Sequence, residues 1–294
     1  MTSNRLPTLG FVGIGVMGRS MAGHLLEAGY PLHIYNRTRS KADALVSQGA
    51  RWQDSPADVA KASDIVITII GFPTDVEAAY LGPEGIIANA KPGSILIDMT
   101  TSSPKLAQQI AEAASALQLQ ALDAPVSGGD LGAREARLSI MVGGEESTFD
   151  QVKPIFEVMG KNIVYQGPAG SGQHTKMANQ VAIASGMLGV CEAVAYAERS
   201  GLDANRVLES ISSGAAGSWS LSNLAPRIIK GDFNPGFFVK HFIKDMTIAL
   251  QEADDMGLDF PGLTAAREAY EKLAASGGED LGTQGLYKLY QASE

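Results

Sequence analysis

Leu9-Gly10-Phe11-Val12-Gly13-Ile14-Gly15-Val16-Met17-Gly18 is the stretch that decides the fold of the first half of the chain. It reads as a short apolar strand, a glycine turn and the start of an amphipathic helix. In this context the first glycine allows a tight turn, the second lets the backbone approach a pyrophosphate, and the third lets helix and strand pack closely. The helix start offers unpaired N–H groups to the phosphates. A glycine-rich turn without a ligand is the alternative. We expect a dinucleotide to bind at Gly13, Ile14, Gly15, Val16, Met17 and Gly18.

The end of the next strand predicts the type of dinucleotide. Leu32–Tyr35 is followed by Asn36, Arg37 and Thr38. NAD-binding folds place an acidic residue near this position to hold the ribose 2′-hydroxyl. An arginine and a threonine hydroxyl instead suit a 2′-phosphate, which a carboxylate would repel. These three residues are therefore predicted to bind NADP, with NAD as a possibility. The alternative is an exposed turn before a helix.

Apolar runs and amphipathic segments continue to alternate as far as residue 166. Continuous apolar runs are typical of parallel strands that are covered on both faces. The alternation predicts an α/β domain with a Rossmann doubly wound, mostly parallel sheet over residues 1–166. The predicted strands are 9–13, 32–35, 65–70, 94–98, 121–123, 138–142 and 162–165.

A short glycine-containing segment between two of these strands is a candidate anion site. It reads Asp123-Ala-Pro-Val-Ser127-Gly128-Gly129-Asp130. Successive small residues can expose backbone N–H groups that form an anion-binding nest together with the serine hydroxyl. A substrate carboxylate would suit such a nest. From the residues alone, a plain proline–glycine turn is at least as good an explanation.

The second half is predicted to be helical and to depend on one long helix. Met177–Cys191 contains no charged residue, and Lys176 stands at its entrance. A helix that is apolar all round is expected to be buried on every side. The run is shorter than the roughly 20 apolar residues that span a bilayer and contains polar groups. Residues 167–294 are thus predicted to form an all-α substrate and oligomerisation domain, with the cleft where this helix start meets the carboxyl edge of the sheet. The predicted helices are 172–200, 203–213, 219–230, 241–256, 261–275 and 284–291.

Composition narrows the class of protein. The 294 residues carry a net charge of −9, which argues against nucleic acid and anionic membranes as general partners. A single cysteine, Cys191, rules out an intramolecular disulfide and fits a reducing cytoplasm. The first residues contain no apolar run typical of a signal peptide. No group of His, Cys and carboxylates has metal-ligand spacing, so we expect no metal.

Four motifs in order give the chain a strong resemblance to the β-hydroxyacid dehydrogenases, the family of 3-hydroxyisobutyrate dehydrogenase and tartronate semialdehyde reductase. They are Gly13-x-Gly15-x-x-Gly18, Asp123-Ala-Pro-Val-Ser-Gly-Gly129, Gly170-x-Gly172-x-x-x-Lys176-x-x-Asn179 and Phe242-Ile-Lys244-Asp245. The resemblance spans nearly the whole chain. It implies NAD(P)-dependent hydride transfer between a small 3-hydroxy carboxylate and its semialdehyde.

The resemblance also implies roles for individual residues. Lys176 matches the catalytic general acid/base, and Ser127, Gly128 and Gly129 match the residues that bind the substrate carboxylate. The predicted cofactor contacts are Phe72, Pro73, Thr101 and Lys244. Many members have two asparagines one turn after the lysine, whereas this chain has Asn179 and Gln180. The tartronate semialdehyde reductases also have this pair, so the change does not argue against activity, but which amide reaches the substrate stays open.

Two other functions compete with this prediction. Imine reductases share the architecture, but they typically place another residue at the position of Lys176. A catalytically inactive nucleotide-binding sensor would usually lose the lysine or gain an extension for a partner. The substrate itself stays open among hydroxyisobutyrate, tartronate semialdehyde, succinic semialdehyde, glyoxylate and serine. Self-association into a dimer or tetramer is expected from the apolar second domain, and Trp219 is either a core anchor or a pocket wall.

Overall fold

The computed structural model describes residues 6–291. The chain divides into two compact units, one ending at Lys176 and one beginning at Met177. The sequence prediction instead placed the domain boundary after residue 166. The five N-terminal residues, on which the prediction of no signal peptide partly rests, lie outside the described residues.

The first unit has a nine-stranded sheet among the described residues. Its strands are β1 (Leu9–Val12), β2 (Leu32–Tyr35), β3 (Arg51–Trp52), β4 (Ile65–Thr68), β5 (Ile95–Asp98), β6 (Gln120–Asp123), β7 (Val126–Ser127), β8 (Leu138–Gly144) and β9 (Gly160–Gly167). Its helices are α1 (Val16–Glu27), α2 (Asp43–Ser47), α3 (Pro56–Ala62), α4 (Pro73–Leu81), α5 (Ile86–Asn89), α6 (Pro104–Ala116), α7 (Gly129–Arg134) and α8 (Glu146–Met159), with a 3₁₀ turn at Arg39–Ala42.

The strand order confirms the predicted mostly parallel sheet. It runs β3-β2-β1-β4-β5-β6-β8-β7, and β9 also pairs with β8. All pairs are parallel except β6 and β7 with β8. These two short strands continue one antiparallel register along β8, since Asp123 pairs with Gly143 and Ser127 with Ser139. The carboxyl ends of β1, β4, β5 and β6 therefore lie along one edge of the sheet, where ligands bind in doubly wound folds.

Alternate residues of the central strands belong to two separate hydrophobic cores. In β4, Ile65 and Ile67 pack in one cluster, whereas Val66 packs in the other. β5 repeats the pattern with Ile95 and Ile97 against Leu96. Because successive side chains of a strand point to opposite faces, the sheet has a core on each face. This explains why these strands read as continuous apolar runs.

The second unit is helical, as predicted. Its helices are α9 (Ser171–Arg199, which begins in the first unit), α10 (Ala204–Ile211), α11 (Trp219–Asn223), α12 (Ala225–Ile229), α13 (Val239–Asp255) and α14 (Pro261–Leu273), followed by a π turn at Ala274–Gly278 and a 3₁₀ segment at Thr283–Leu289. The predicted single helix over 219–230 is two short helices. Pro226 has no N–H to continue the first one, so it stands in the opening turn of the second.

The prediction that α9 is buried on every side is wrong. Its large side chains pack in the core of the second unit, among them Met187, Val190 and Val194. Within the uncharged run 177–191, the exposed positions hold small residues instead: Ala178, Ala182, Ser185, Gly186 and Gly189. Small side chains leave little apolar surface in water, so a run without charges does not require burial all round. By length and composition alone α9 could cross a membrane, since it contains an 18-residue window with a mean hydropathy of 1.4, but its packing is that of a core helix.

Cys191 lies in the buried face of α9 and is a free cysteine. Burial raises the pKa of its thiol to about 12, and the nearby carboxylate of Glu192 adds to the effect. The reactive thiolate is therefore almost absent at neutral pH.

Candidate active site

The glycine loop between β1 and α1 has the form of a cradle for a phosphate group. Gly13 has φ +105°, and a Cβ there would lie 2.1 Å from the carbonyl oxygen of Ile69. A Cβ on Gly18 would lie 1.9 Å from the carbonyl oxygen of Gly13. A Cβ on Gly15 would meet nothing within 4 Å. The outer glycines are thus required by packing, whereas the middle glycine faces open space of the kind that a pyrophosphate fills.

Asn36 holds this loop from the end of β2. Its Oδ1 accepts the N–H of Ile14 at 2.8 Å, and its Nδ2 donates to the carbonyl oxygen of Thr38 at 2.8 Å. An amide can do both because it carries an acceptor and a donor, whereas a carboxylate carries only acceptors. The structure therefore gives Asn36 a positioning role in the loop that sequence reasoning missed.

The turn after Asn36 presents cationic side chains. Arg37 is exposed, and its Nη1 lies 3.8 Å from Asp75 Oδ1. The Asp75 carboxylate also accepts the N–H of Phe72 at 3.2 Å, where α4 begins at Pro73. Arg39 is placed differently, because its guanidinium stacks 5.1 Å from the ring centroid of Trp52. Arg37 is thus an exposed guanidinium beside Asp75, whose carboxylate also bonds to the predicted cofactor contact Phe72.

A buried hydrogen-bond network fixes the loops after β4 and β5. Thr68 Oγ1 donates to Asp98 Oδ1 at 2.7 Å and lies 2.9 Å from the Tyr80 hydroxyl. Asp98 Oδ1 also accepts the N–H of Thr100, whose own hydroxyl accepts the N–H of Ile70. Burial, and then the charge of Asp98, raise the pKa of Tyr80 well above its usual range. The backbone just before the half-buried Thr101 is thereby held in place.

Asp123, at the end of β6, accepts two backbone N–H groups from the start of α9. Oδ1 bonds to Gly170 and Oδ2 to Gln173, both at 2.8 Å. Burial raises the pKa of this carboxyl to about 6, although the two hydrogen bonds act in the opposite direction. Lys176 lies in the next turn of the helix and is itself buried, with 6% of its surface exposed. The sequence pattern identified Lys176, but it did not reveal that Asp123 bonds to the N–H groups of Gly170 and Gln173.

The predicted carboxylate-binding residues lie where β7 turns into α7. Gly128 has φ +125° and Gly129 φ +63°, in the left-handed region that favours glycine. A Cβ on Gly129 would meet nothing within 4 Å. Ser127, the last residue of β7, is half-buried. The backbone conformation is therefore that of a tight, glycine-dependent turn with open space beside it.

In the second unit a chain of polar contacts begins at the predicted substrate amides. Asn179 Nδ2 donates to Gln180 Oε1 at 2.7 Å, and Gln180 Nε2 donates to Asp245 Oδ2 at 2.5 Å. The other Asp245 oxygen lies 2.7 Å from Lys244 Nζ. Gln180 is fully buried, whereas Asn179 is half-buried. Both ends of the Gln180 amide are thus engaged within the protein.

Two histidines of the first unit have structural contacts. His24 Nε2 lies 3.0 Å from the carbonyl oxygen of Ala133, and His33 Nδ1 lies 2.8 Å from Gln53 Nε2. Trp219 is 51% exposed at the start of α11, so it is not a core anchor. Within residues 6–291 there is no group of three or more His, Cys, Asp or Glu side chains that could hold a metal ion.

Comparisons with known proteins agree with the dinucleotide interpretation. Residues 8–167 match the sequence model of the NAD binding domain of 6-phosphogluconate dehydrogenase. Residues 170–290 match that of the NAD-binding domain of NADP-dependent 3-hydroxyisobutyrate dehydrogenase. The two matches together cover nearly all of the described residues.

Relatives that match over nearly their whole length are named as oxidoreductases. The uncharacterized oxidoreductase YkwC of Bacillus subtilis is 60% identical, over 96% of this chain and 98% of the relative. The 2-hydroxy-3-oxopropionate reductase of Escherichia coli is 40% identical, over 96% and 97% respectively. The structure of 3-hydroxyisobutyrate dehydrogenase from Mycobacterium tuberculosis with L-serine is 30% identical. It superposes with a TM-score of 0.88 over 98% of this chain and 100% of that one.

The glycine loop gives a prediction that separates binding from packing. Gly15→Ala should fold with unchanged or slightly higher stability, because φ at this position is −86° and its Cβ meets nothing. It should weaken dinucleotide binding at least about 10-fold by filling the phosphate cradle. Gly18→Ala should instead lower the free energy of unfolding by about 1–3 kcal/mol or more through overpacking.

The measurements are fluorescence titration with NADPH and NADH, and thermal unfolding of both variants and the wild type. Undiminished dinucleotide affinity in a well-folded Gly15→Ala variant would show that the cofactor phosphates lie elsewhere.

Proposed function

The chain belongs to the β-hydroxyacid dehydrogenase family, and from this premise we propose that it is an NADP-preferring reductase and dehydrogenase of a small 3-hydroxy carboxylate and its semialdehyde. The observation that carries the proposal is Lys176, a buried lysine near the start of α9 in a chain whose two halves both match NAD-binding sequence models. A bound nicotinamide would supply or accept the hydride. The protein's own residues must hold the substrate and move one proton.

Lys176 is proposed as the group that moves this proton. As the carbonyl carbon gains a hydride, its oxygen gains negative charge and needs a nearby donor. The Lys176 ammonium would stabilise this oxygen and protonate it, which yields the hydroxyl. In the oxidation direction the neutral amine would take the hydroxyl proton. Burial of the residue supports the proposal, because lysine side chains are seldom buried without a specific reason.

The substrate carboxylate is proposed to bind at Ser127, Gly128 and Gly129. Two consecutive glycines with positive φ orient neighbouring N–H groups in a manner that suits an anion. The Ser127 hydroxyl could donate a further bond to a carboxylate oxygen. Recognition of a carboxylate by this turn fits the small carboxylic acids that the family resemblance implies.

Of the two amides, Asn179 is the better candidate for contact with substrate. It lies three residues after Lys176, so helix geometry places the two side chains on the same face. Gln180 is fully buried with both ends of its amide engaged. Gln180 is therefore proposed to orient Asn179 through their mutual hydrogen bond, and Lys244 stays a predicted cofactor contact.

Preference for NADP is proposed from the end of β2. Asn36 is committed to the glycine loop, and no carboxylate stands at the end of β2, where a ribose 2′-hydroxyl would be held. Arg37 is exposed and directly follows Asn36, whose amide bonds to the glycine loop, and an exposed guanidinium suits contact with a 2′-phosphate. A cytoplasmic location and assembly into a dimer or tetramer also stay proposals. Exposed apolar residues such as Tyr196, at 75% exposure, support self-association.

Activity should be found with short 3-hydroxy acids and their semialdehydes and should depend on the carboxylate. A spectrophotometric panel would include hydroxyisobutyrate, tartronate semialdehyde, succinic semialdehyde, glyoxylate and serine, each with NADP(H) and NAD(H). Analogues in which the acid is replaced by an amide or alcohol serve as controls. We expect them to lose at least about 10-fold in kcat/KM, since a charged hydrogen bond contributes roughly 1.5–3 kcal/mol. Equal kcat/KM for the neutral analogues would refute the carboxylate site.

Arg37→Asp should shift the preference from NADP towards NAD. Removal of a charged hydrogen bond should weaken NADP binding about 10- to 150-fold, and the new carboxylate would repel the 2′-phosphate. Arg206→Asp makes the same charge change on an exposed position of α10 and should leave both affinities unchanged. The comparison is of dissociation constants for NADPH and NADH. A wild type that prefers NADH, or a variant that still prefers NADPH, would contradict the assignment.

Lys176→Ala should lower kcat about 10²- to 10⁴-fold, the usual contribution of a positioned proton donor. The Kd for NADPH should barely change, because the proposed phosphate contacts are at the glycine loop and Arg37. Lys176→Arg should not restore activity, since a guanidinium does not give up a proton near neutral pH. Lys161→Ala, at an exposed position, is the control.

The measurements are steady-state kcat and fluorescence titration with NADPH. A Lys176→Ala variant that binds NADPH normally and keeps more than about a tenth of kcat would remove the proposed role. Loss of NADPH binding would instead indicate a structural lysine.

A further inference from the structure

The start of α9 is capped by a residue from another element. α9 begins at Ser171, so its capping position is Gly170, which has no side chain to accept a hydrogen bond. The first N–H groups of a helix otherwise lack partners. Asp123 accepts the N–H of Gly170 with one oxygen and that of Gln173 with the other. One carboxylate therefore makes both bonds that a capping box divides between two side chains.

Two glycines make this approach possible. A Cβ on Gly143 would lie 2.5 Å from Asp123 Oδ1, and a Cβ on Gly172 would lie 2.8 Å from Oδ2. A Cβ on Gly172 would also lie 2.5 Å from the carbonyl oxygens of Asp123 and Met141. Any side chain at these positions would push the carboxylate away from the helix. The second glycine of Gly170-x-Gly172 thus has a steric role that involves no ligand.

Gln173 anchors the same turn through its side chain. Its Oε1 accepts the N–H of Ser102 at 2.9 Å, and its Nε2 donates to the carbonyl oxygen of Thr100 at 2.7 Å. Both the side chain of Gln173 and the carboxylate of Asp123 are buried. Lys176 lies three residues further on, which is about one turn of the helix. Four hydrogen bonds therefore fix the turn from which Lys176 projects.

We propose that Asp123 is a positioning residue for Lys176. The Asp123 carboxylate caps α9 and so sets where the lysine ammonium lies. Asp123 acts through the helix and needs no contact with substrate or cofactor. The inference rests on the proposed role of Lys176 in the chemical step. Its physical basis is that catalysis tolerates little displacement, since a shift of about 1 Å can cost about 10²-fold in rate.

Asp123→Asn is the most direct test. The amide has the same size as the carboxylate, but it has only one acceptor oxygen, and its NH2 group would face the second N–H donor. The variant is expected to fold, because the amide removes a buried charge that is costly enough to raise the carboxyl pKa to about 6. Asp123→Ser is a second variant. Its side chain is too short to bridge the two N–H groups.

Both variants should lower kcat by about 10- to 100-fold, while KM and the Kd for NADPH change less than about threefold. Amide hydrogen exchange should become faster at Gly170 and Gln173 and stay unchanged in α6. Asp203→Asn, which changes the exposed carboxylate cap of α10, should leave kcat unaltered. Ile155→Val, in the core of the first unit, controls for a general loss of stability.

A double variant shows whether Asp123 acts through the lysine. If it does, Asp123→Asn combined with Lys176→Ala should have a kcat no lower than that of Lys176→Ala alone. Multiplied effects, or a kcat for Asp123→Asn within about twofold of wild type, would overturn the proposal. Unchanged exchange at Gly170 and Gln173 would overturn the cap itself. Full activity of Lys176→Ala would remove the role of the lysine, and with it that of Asp123, while the exchange data still report on the cap.

Discussion

The hydrogen bonds that Asp123 accepts from the start of α9 are the constraint on which the arrangement of the site depends. They connect the end of β6 to the turn that precedes Lys176. The cost of burying this charge is visible in the carboxyl pKa, which burial raises from 3.8 to about 6 although the hydrogen bonds lower it. A raised pKa contributes stability below pH 3.8 that is lost as the pH rises through 6. At neutral pH this loss is about 3 kcal/mol, so the charged cap is kept at the expense of stability.

Buried polar groups of the first unit are concentrated at the same edge of its sheet. Thr68, Asp98 and Tyr80 form one network, and Asp123 with Gln173 forms a second. Each fixes a segment that has no regular structure of its own, namely the loops after β4 and β5 and the turn before α9. Parallel strands bring these loops together, and buried side chains then hold each in a single conformation. Such rigidity suits the proposed reaction, in which a hydride and a proton donor must be aligned.

The sequence predicted those features that depend on local pattern. Continuous apolar runs predicted β4 and β5, and the glycine spacing predicted the turn between β1 and α1. The structure explains that spacing further, because Gly13 and Gly18 are required by packing while Gly15 faces open space. By contrast, the exposed face of α9 could not be predicted from an absence of charge, since small side chains tolerate both environments.

Contacts between residues far apart in the sequence could not be predicted from local pattern. Asn36 was expected to touch the cofactor, yet its amide bonds to Ile14, 22 residues away in the chain. The sequence leaves Asn179 and Gln180 as equal candidates for substrate contact, and it does not reveal that the Gln180 amide bonds to Asp245. The link from Asp123 to Gln173 spans 50 residues. In each case the side chain type allowed several partners, and only the fold selects one.

The burial of Cys191 has a practical consequence for following how this protein opens. It is the only cysteine of the chain, and it lies in the core of the second unit. A thiol reagent can therefore modify the folded protein only during excursions that expose α9. The labelling rate therefore reports how often the second unit opens, and it does not respond to motions confined to the first unit.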